Sequence, residues 1–495
     1  MHPTVKILFV ISPTDFNPQK EHVDRVYGCN YGYDYKPPIH ALSATTALKL
    51  AGHTVRFVDF HAQGLTAADL PSVVKAFGPD VACFFSVYLS QNEDLETARR
   101  ISELAPGCWQ VFMGSAPSWK PEHYLRRPKD VVVRGEPEAT LVELVGALES
   151  TGSAAGVLGT SRPDGASVAH EGPRPLMDVD DLPIPDRSLL EGRYVINRLN
   201  VQPATTLCTS RGCTHRCTFC APNAVDQCIE LEHKRFGLKR PPFRPKSVEK
   251  VVAEFRAIAE AGYKGIEVVD NIFVYDKRRT LELCRAIEPL KLKWLCLARA
   301  NHLHDDEAIE AMARAGCELV YIGSESFCQE ILDDVRKQIT VDQVESAVAR
   351  LKRHHIEPEV SVVLGVSALE TPATVRKSLT MAKQCGTRFT HFSIALPLPN
   401  TDLYDTAKQK GWLEGGEFVP VDNARESIIN LPHLKAREME RILKNAYLFQ
   451  YFSPSNILAH VKKVRSVKDF VEKAKVPFRF LRYYLTGHGT SGSSR

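Results

Sequence analysis

Three cysteines in one short stretch carry the strongest chemical signal in this sequence. The stretch LCTSRGCTHRCTFCAPN begins at Leu207 and holds Cys208, Cys213, Cys217 and Cys220, four of the chain's thirteen cysteines. The last three follow the spacing C-x3-C-x2-C, whereas Cys208 falls inside a segment that the residue pattern predicts as a strand. Thiolates this close together in a chain are ligands for zinc or for an iron–sulfur cluster.

The number of thiolates favours the cluster. A structural zinc site takes four closed ligands, usually as two cysteine pairs, and only the single Cys228 follows here. A [4Fe–4S] cluster normally takes four thiolates, so three in one loop would hold three irons and leave the fourth open to a ligand that is not protein. Catalytic metal sites keep such an open position. A zinc knot or clustered packing cysteines remain the alternative, and Cys208 itself is predicted to be a buried packing thiol.

The elements around this stretch predict a barrel that would position it. From Val201 onwards, strand-like and helical patterns alternate about six times, which predicts a partial βα barrel of six units. The predicted strands are 204–210, 265–271, 292–301, 318–326, 357–366 and 391–398. Barrel sites lie at the carboxyl ends of the strands, where the cysteine stretch follows the first strand. The residues expected to face the same cavity are Asp270, Asn271, Arg299, Asn301, Glu325, Gly365 and Pro397.

The segment SRGCTHRCTFCAPN, with Phe219 before its last cysteine, resembles the cluster loop of the radical S-adenosylmethionine (SAM) superfamily. The resemblance implies that Cys213, Cys217 and Cys220 bind a [4Fe–4S] cluster and that SAM chelates the open iron through its amino and carboxylate groups. One electron then cleaves SAM to methionine and a 5′-deoxyadenosyl radical. An external donor such as flavodoxin or ferredoxin would supply the electron.

The resemblance continues along the chain and implies further contacts to SAM. YIGSES (321–326) resembles the fourth-strand motif, which puts Glu325 near SAM, and VVLGVSALET (362–371) resembles the Gly-rich segment that contains Gly365. VVDNIFV (268–274) resembles the second-strand segment and includes Asp270, but it lacks the Gly-Gly-Glu stretch that many members carry near the SAM amino group. Arg299 is a candidate partner for the SAM carboxylate, because guanidinium groups pair bidentately with carboxylates. A strand-end hydrogen-bonding role is the alternative for each of these residues.

The first 150 residues predict a separate α/β domain. Strand-like runs at 5–12, 54–60, 81–90, 109–114 and 130–135 alternate with helical patterns such as 39–52 and 92–105. Repeated βα units of this size predict a doubly wound, Rossmann-like parallel sheet, whose ligand lies beyond the carboxyl ends of the strands. The segment after the first strand, SPTDFNPQKEH, contains no G-x-G-x-x-G, which disfavours a dinucleotide as the ligand.

This domain resembles the cobalamin-binding module that precedes the barrel in many radical SAM enzymes. The resemblance rests on KPPIHALSATTALKLAGHTVRFVDF, MGSAPSWKPEHYL (113–125) and VVVRGEPEATLVEL (131–144), with Ser115 where a second glycine is typical. It implies that strand-end loops hold cobalamin, and the candidate contacts are Ser12, Pro13, Ser86, Tyr88, Gly114, Ser115, Gly135 and Glu136. The tyrosine-rich loop at 27–38 is a further candidate wall.

One motif in this domain is interpreted as coincidental. DFHAQG (59–64) matches D-x-H-x-x-G, a motif whose histidine binds cobalt in another type of cobalamin site. There the motif follows the first strand, whereas here it follows the second. We therefore interpret His61 as an ordinary loop residue, and we expect the lower face of cobalamin to carry no protein ligand.

Composition and charge complete the domain prediction. A chain of 495 residues with 44% hydrophobic and 25% charged residues is typical of a soluble protein of two or three domains. No apolar run approaches the roughly 18 residues of a spanning helix, and no signal-peptide pattern is present, so a cytoplasmic protein is expected. We predict a cobalamin domain at 1–150, a linker at 151–200, the barrel at 201–420 and a helical segment at 421–495.

The carboxy-terminal segment holds the basic surplus of the chain. From His433 onwards thirteen Lys and Arg residues face four Asp and Glu residues, while the rest of the chain is slightly acidic. The body therefore offers no general surface for nucleic acid. The segment's aromatic and basic residues fit a helix on a membrane surface or an amphipathic helix packed on the barrel, and we favour packing.

Taken together, the two resemblances imply a cobalamin-dependent radical SAM methyltransferase that acts on an unactivated carbon of a small molecule. A secondary metabolite, a lipid or a tetrapyrrole would all fit, and the sequence assigns no catalytic residue beyond the cofactor contacts. An oxidative cyclase or rearrangement enzyme of the same architecture is the first alternative, because the anaerobic cyclase of chlorophyll synthesis shares it. A non-catalytic cobalamin or iron–sulfur sensor is the second.

Overall fold

The computed structural model describes residues 4–17, 21–28 and 34–451. Its first sheet has the order β2-β1-β3-β4-β5-β6-β7, and the first five of these strands are parallel. β3 is buried along its whole length, as a strand covered by helices on both faces must be. The strands are β1 (Lys6–Ile11), β2 (Thr54–Asp59), β3 (Val81–Phe85), β4 (Trp109–Met113), β5 (Asp130–Val133), β6 (Thr160–Asp164) and β7 (Ser167–His170). The helices are α1 (Ile39–Leu50), α2 (Leu70–Phe77), α3 (Gln91–Leu104), α4 (Ser115–Trp119) and α5 (Pro137–Thr151).

The predicted linker at 151–200 was partly wrong, because it contains the hairpin β6–β7. This hairpin pairs with β5 in antiparallel orientation and extends the first sheet beyond residue 150. Its turn is Gly165-Ala166, with Gly165 at a φ of +60° directly after Asp164. An Asp-Gly pair between short strands is a strong hairpin signal, and the flexible, proline-rich composition of the surrounding residues hid it.

The second sheet is the predicted partial barrel of six parallel strands. Its order is β15-β14-β13-β12-β11-β8, so β8 and β15 are the two edge strands. The strands are β8 (Ala204–Leu207), β11 (Gly265–Val268), β12 (Lys293–Ala298), β13 (Cys317–Glu325), β14 (Glu357–Leu364) and β15 (Thr390–Ile394), and β9 (Ser210–Arg211) pairs with β10 (Arg244–Pro245) in a separate ribbon. The helices are α6 (Ala224–Arg235), α7 (Val248–Glu260), α8 (Lys277–Ile287), α9 (Asp306–Arg314), α10 (Gln329–Asp334), α11 (Val341–Arg353), α12 (Pro372–Gln384), α13 (Asp402–Gln409) and α14 (Ala436–Tyr451). Ser247 caps α7 by accepting a hydrogen bond from the Lys250 amide, as the sequence predicts.

Apolar residues alternate between the two faces of the barrel strands. Ile266 and Val268 of β11, and Val320 and Ile322 of β13, belong to the core beneath the helices. Leu295 and Leu319 point the other way and pack with Ile196 and Leu199, which close the inside of the barrel at one end. The residues that alternate with the core positions therefore face the barrel interior.

The start of the carboxy-terminal segment packs on the barrel, which confirms the favoured interpretation for that part. Met439 and Leu443 of α14 are buried, and the Tyr447 hydroxyl donates a hydrogen bond of 2.5 Å to the Phe392 carbonyl of β15. Residues 452–495, with most of the basic surplus, lie outside the described residues, as do residues 29–33 of the tyrosine-rich loop. Within the described part of the chain, no helix has both the length and the apolar character needed to span a bilayer.

Candidate functional site

The three clustered cysteines lie in the loop between β9 and α6, at the carboxyl end of β8. The loop begins at Gly212, whose φ is +85° and whose missing Cβ would come within 3.1 Å of the Pro242 carbonyl oxygen. Cys213 and Cys217 are partly buried, and the Cys220 residue is exposed. Cys208, in contrast, is a buried thiol that bonds the Ser210 carbonyl, as predicted.

Asn271 fixes both ends of this loop. Its Oδ1 accepts a hydrogen bond of 2.8 Å from the amide of Asn223 at the loop's end. Its Nδ2 donates to the Gly212 carbonyl at the loop's start, at 3.1 Å, and to the Asp226 carboxylate at 2.6 Å. A residue predicted to face the cavity thus braces the cysteine loop.

The middle of the loop is held from the other side of the barrel mouth. The Thr218 amide donates to the Val335 carbonyl at 3.1 Å, and the Thr218 carbonyl accepts from the Leu403 amide at 2.9 Å. Phe219 packs against the barrel core. The backbone between the cysteines is therefore anchored on two flanks, which presets the spacing of the thiols.

Cys213, Cys217 and Cys220 are the thiols that would hold a cluster. Burial raises the pKa of Cys213, and the nearby Cys217 raises it further. Among the described residues, no three His, Cys, Asp or Glu side chains are grouped closely enough to bind one metal ion. A [4Fe–4S] cluster does not require that grouping, because each thiolate binds a different iron.

Two cations lie beside the thiols, and the sequence identified only one of them. The Arg299 Nη1 is 3.7 Å from the Cys217 Sγ, and the same guanidinium donates to the Lys337 carbonyl. The Lys337 Nζ is 2.7 Å from the Glu325 Oε1, and both side chains are largely buried. Burial alone would lower the pKa of Lys337, but Glu325 and Cys217 together outweigh it and the pKa is raised. Positive charge at this place stabilises thiolates and anionic ligands.

Lys337 was not identified from the sequence, because no motif or periodic pattern surrounds it. It lies in the irregular VRKQ segment between α10 and α11, in which Arg336 and Gln338 both have positive φ. Glu325, its partner, also has a positive φ of 64° at the end of β13. A non-glycine residue in this conformation is uncommon and directs its side chain away from the line of the strand.

Two other predicted SAM contacts have partners within the chain. Asp270 is buried, and its carboxylate accepts from the Thr209 amide at 2.6 Å and from the Thr209 hydroxyl, which ties β11 to the end of β8. Gly365 has a φ of +83°, and an added Cβ would lie 2.7 Å from the Met439 sulfur of α14. Asp270 thus makes the strand-end hydrogen bonds named as the alternative, while contact of either residue with SAM stays a prediction.

The first domain's candidate residues follow β1, β3, β4 and β5 at the carboxyl edge of its sheet. Ser12 donates to Asp94 at 2.7 Å, and the Ser86 hydroxyl is 3.0 Å from the Tyr124 hydroxyl. Gly114 has a φ of +110°, and an added Cβ would lie 2.2 Å from the Ser86 carbonyl oxygen, so only glycine lets these two loops approach. Pro13 and Ser115 lie at the same edge and are buried.

Tyr88 fits a polar ligand at this edge. Its ring lies between Trp119 and Phe418, with centroid distances of 5.7 and 5.1 Å. Its hydroxyl is buried and has no hydrogen-bond partner among the described residues. A buried hydroxyl without a partner is costly. The amide-rich periphery of a corrin would supply partners for it and for the neighbouring serines.

Gly135 and Glu136 lie at the junction of the two domains. Glu136 accepts from Arg244 at 2.6 Å and from the Met177 amide at 3.1 Å, and Arg211 is 3.7 Å away. Arg211 also pairs with Glu138 at 2.8 Å. Glu136 therefore bridges the domains, and contact of Gly135 and Glu136 with cobalamin stays a prediction.

His61 is in the loop directly after β2, as interpreted. Its ring contacts those of His22 and Tyr35 at 4.9 and 4.4 Å between centroids. The absence of a lower cobalt ligand stays a prediction.

Comparison with known proteins identifies the barrel. The model of the radical SAM superfamily matches residues 207–382, which include the cysteine loop and run through α12 to Ala382. Over these residues the chain is similar to the radical SAM superfamily. The chain is 29% identical over 467 residues to "Uncharacterized methyltransferase PH0819" of Pyrococcus horikoshii, covering 92% of this chain and 95% of that protein.

Two further proteins are similar over most of the chain. It is 25% identical to the anaerobic magnesium-protoporphyrin IX monomethyl ester cyclase of Cereibacter sphaeroides, over 76% of this chain and 61% of that protein. Its fold matches the cobalamin-dependent radical enzyme OxsB, solved with aqua-cobalamin and SAM, with a TM-score of 0.69 at 16% identity. That match covers 98% of this chain and 72% of OxsB, and it confirms the predicted two-domain α/β fold.

Proposed function

We propose that this protein is a cobalamin-dependent radical SAM methyltransferase that methylates a carbon atom of a small molecule. One observation carries the proposal. The three-thiol loop, flanked by Arg299 and Lys337, is held at the barrel mouth against the carboxyl edge of the first domain's sheet. In this arrangement the loop that would hold the cluster contacts, through Arg211, the domain that would hold cobalamin.

The chain's own residues would divide the work. Cys213, Cys217 and Cys220 would hold the cluster, and the braced loop would keep its open iron facing the barrel. Arg299 and Lys337 would pair with the carboxylate of SAM, because their positive charges lie beside the thiols. When bound, cluster and SAM would supply a 5′-deoxyadenosyl radical, and cobalamin would carry the methyl group.

Burial at the domain junction supports radical chemistry. The Arg211–Glu138 ion pair at the start of the cysteine loop is almost fully buried and Phe219 packs on the barrel core, which would keep water from that side of a reactive intermediate. Cobalamin itself would lie against Ser86, Tyr88, Gly114 and Ser115, where a hydroxyl without a partner is present.

Oxidative cyclisation without methyl transfer is the second candidate. It is favoured by the similarity to the cyclase of Cereibacter sphaeroides over 76% of this chain. The two reactions consume SAM differently. A methyltransferase forms both S-adenosylhomocysteine and 5′-deoxyadenosine, whereas a cyclase forms 5′-deoxyadenosine alone.

The experiment that tests the proposal follows both products. The protein is reconstituted without oxygen with iron, sulfide and cobalamin, then given a reductant, SAM with a deuterated methyl group and a cell metabolite extract. We expect both SAM products and a metabolite that carries the labelled methyl. 5′-Deoxyadenosine without S-adenosylhomocysteine would replace the proposal by the cyclase. An intact cluster that forms neither product would indicate a sensor.

Partners and location form part of the proposal. A flavodoxin or ferredoxin would deliver the electron, and the cytoplasm would keep the cluster thiols reduced. Membrane contact through the basic end of the chain is not favoured, since the described start of that segment packs on the barrel.

A further inference from the structure

Six ionisable side chains form a layer inside the barrel, below the cysteine loop. We define this ionic layer as Asp34, Lys36, Arg198, Glu267, Glu359 and His391. Glu267 lies between Ile266 and Val268, which face the helices, so it faces the interior of the barrel. Glu359 precedes Val360 and alternates with it in the same way.

The layer is tightly connected and contains parts of both domains. Lys36, from the first domain, lies 2.5 Å from Glu267. Arg198 lies 3.9 Å from Glu359 and 4.0 Å from Asp34. The remaining contact joins His391 to Glu359 at 2.8 Å. All these side chains are at least four-fifths buried.

The charges of this layer do not balance. Among the described residues, Asp24 lies 3.8 Å from Lys36, so four carboxylates share the two fixed cations Lys36 and Arg198. Burial lowers the pKa of His391, with Arg198 adding to the effect, which favours its neutral form. Arg388 acts on Glu359 from outside and offsets one charge. Burial raises the pKa of Asp24 and of Asp34, so uptake of a proton relieves part of the excess negative charge in the free protein, and a bound cation would relieve it in the same way.

Two carboxylate oxygens in the layer also lack a hydrogen-bond donor. Among the described residues, no donor reaches the buried Oδ2 of Asp34 or the buried Oε2 of Glu267. The side chains that carry them are 6% and 4% exposed. The layer therefore has room for further positive charge, and these two oxygens need N–H or O–H donors. An ammonium group supplies the two together.

The layer is continuous with the candidate SAM site. The Ser361 hydroxyl donates to the Glu325 Oε2 at 3.0 Å and hydrogen-bonds Tyr321, whose ring lies 4.9 Å from that of His391. Tyr321 and Glu325 pair with Glu359 and Val362 of β14, so the bulge between them shortens their separation to three residues of β14, about 10 Å along the strand. A molecule of ordinary metabolite size could place one end in the layer and another at the SAM site.

We infer that the ionic layer anchors the substrate through an amine cation, so that the substrate is a small polar amine rather than a neutral lipid or an acidic tetrapyrrole. The inference rests on the proposed function and deepens it. Asp34 and Glu267 would accept hydrogen bonds from the ammonium group. The carbon to be methylated would lie about 10 Å further up, on the side of the cysteine loop.

The test uses the reconstituted holoenzyme with SAM that carries a ¹⁴C methyl group. A metabolite extract of the producing cells is separated into compounds that a strong cation exchanger retains at pH 3, compounds that pass through, and an organic-phase fraction. We expect label only in the retained, amine-containing fraction. Asp34→Asn should raise the KM for that fraction about tenfold or more, because a hydrogen bond to a charged group is lost.

Matched variants separate anchoring from folding. The thermal midpoint of each variant is measured beside its KM, because misfolding lowers the midpoint whereas the loss of an anchor raises only the KM. Glu357→Gln, on the same strand as Glu359, should change neither quantity. Should Asp34→Asn unfold the protein, Glu267→Gln combined with Lys36→Met removes an opposite pair and gives the same measurement.

Each outcome decides the matter. Label in the flow-through or organic fraction overturns the inference and leaves methyl transfer standing. Label in amines with an unchanged KM in Asp34→Asn removes the layer as the anchor. 5′-Deoxyadenosine without any methylated product removes the methyltransferase and the inference with it.

Discussion

Replacing Arg211 by methionine tests how the two domains hold the cysteine loop. Arg211 lies two residues before Cys213, and its guanidinium pairs with Glu138 at the start of α5, across the domain junction. Glu136 would keep Arg244 as a partner. Glu138 would lose its cation, so the energetic cost of the substitution arises at Glu138. The Glu138 side chain is 1% exposed, and among the described residues only the Ser43 hydroxyl would still donate to it, at 2.8 Å.

Breaking a buried ion pair by removing one partner costs about 3–5 kcal/mol. We therefore expect Arg211→Met to lower the free energy of unfolding by an amount in this range, and Glu138→Gln to have a smaller effect because Arg211 keeps Glu136 nearby. The double variant removes both charges, so it should be more stable than the sum of the two losses by about 2 kcal/mol.

Urea unfolding followed by tryptophan fluorescence, under anaerobic conditions, measures these differences. Arg99→Met is the matched control, since Arg99 pairs with glutamates on the surface of α3 and its loss should cost less than about 1 kcal/mol. A loss below about 1 kcal/mol in Arg211→Met, or strict additivity in the double variant, would refute the reasoning.

Three further substitutions probe the brace, the edge of the first sheet and a buried histidine. Asn271→Ala removes three hydrogen bonds at the ends of the cysteine loop. It should lower the free energy of unfolding by about 1–3 kcal/mol and should also lower the iron retained after gel filtration. Unchanged iron content would contradict the role of Asn271 in holding the loop. Gly114→Ala places a Cβ 2.2 Å from the Ser86 carbonyl oxygen and should lower the free energy of unfolding by several kcal/mol. In the control Gly107→Ala the new Cβ meets nothing within 4 Å. Equal thermal midpoints of the two variants would count against the close approach of Gly114 to Ser86. Burial lowers the pKa of His40 far below 6.5, so below that pH only the unfolded chain takes up this proton and stability falls. Between pH 7.5 and 5.5 the free energy of unfolding of His40→Asn should therefore fall by about 1.4 kcal/mol less than that of the natural protein. Equal decreases for the two proteins in urea unfolding would disprove this effect of His40.

The sequence predicted the elements that repeat and the chemistry that is local. Alternating strand and helix patterns predicted both sheets, because parallel strands buried on both faces give continuous apolar runs. The C-x3-C-x2-C spacing identified the cysteine loop because its three candidate ligands lie within eight residues. Cys208 is buried, as its predicted strand position indicated, although β8 itself ends at Leu207, and its exclusion from the ligands stays a prediction.

Pairings across long stretches of chain could not be predicted. Arg211 and Glu138 are 73 residues apart, and Lys36 and Glu267 are 231 residues apart. No periodicity links such residues, and only the docking of the two domains brings them together. Lys337 escaped notice for a related reason, because its role depends on an irregular loop that places it beside Glu325. The hairpin at 160–170 could have been found, since Asp164-Gly165 is a turn signal.

The central claim is that three cysteines, and not four, hold a cluster that cleaves SAM. The most direct measurement is the formation of 5′-deoxyadenosine by the reconstituted protein with reductant and SAM, in Cys217→Ala and in Cys208→Ala. We predict that Cys217→Ala forms none, because one iron loses its ligand, whereas Cys208→Ala keeps the activity, because its thiol only packs and bonds the Ser210 carbonyl. Activity in Cys217→Ala equal to that of the natural protein would contradict the account.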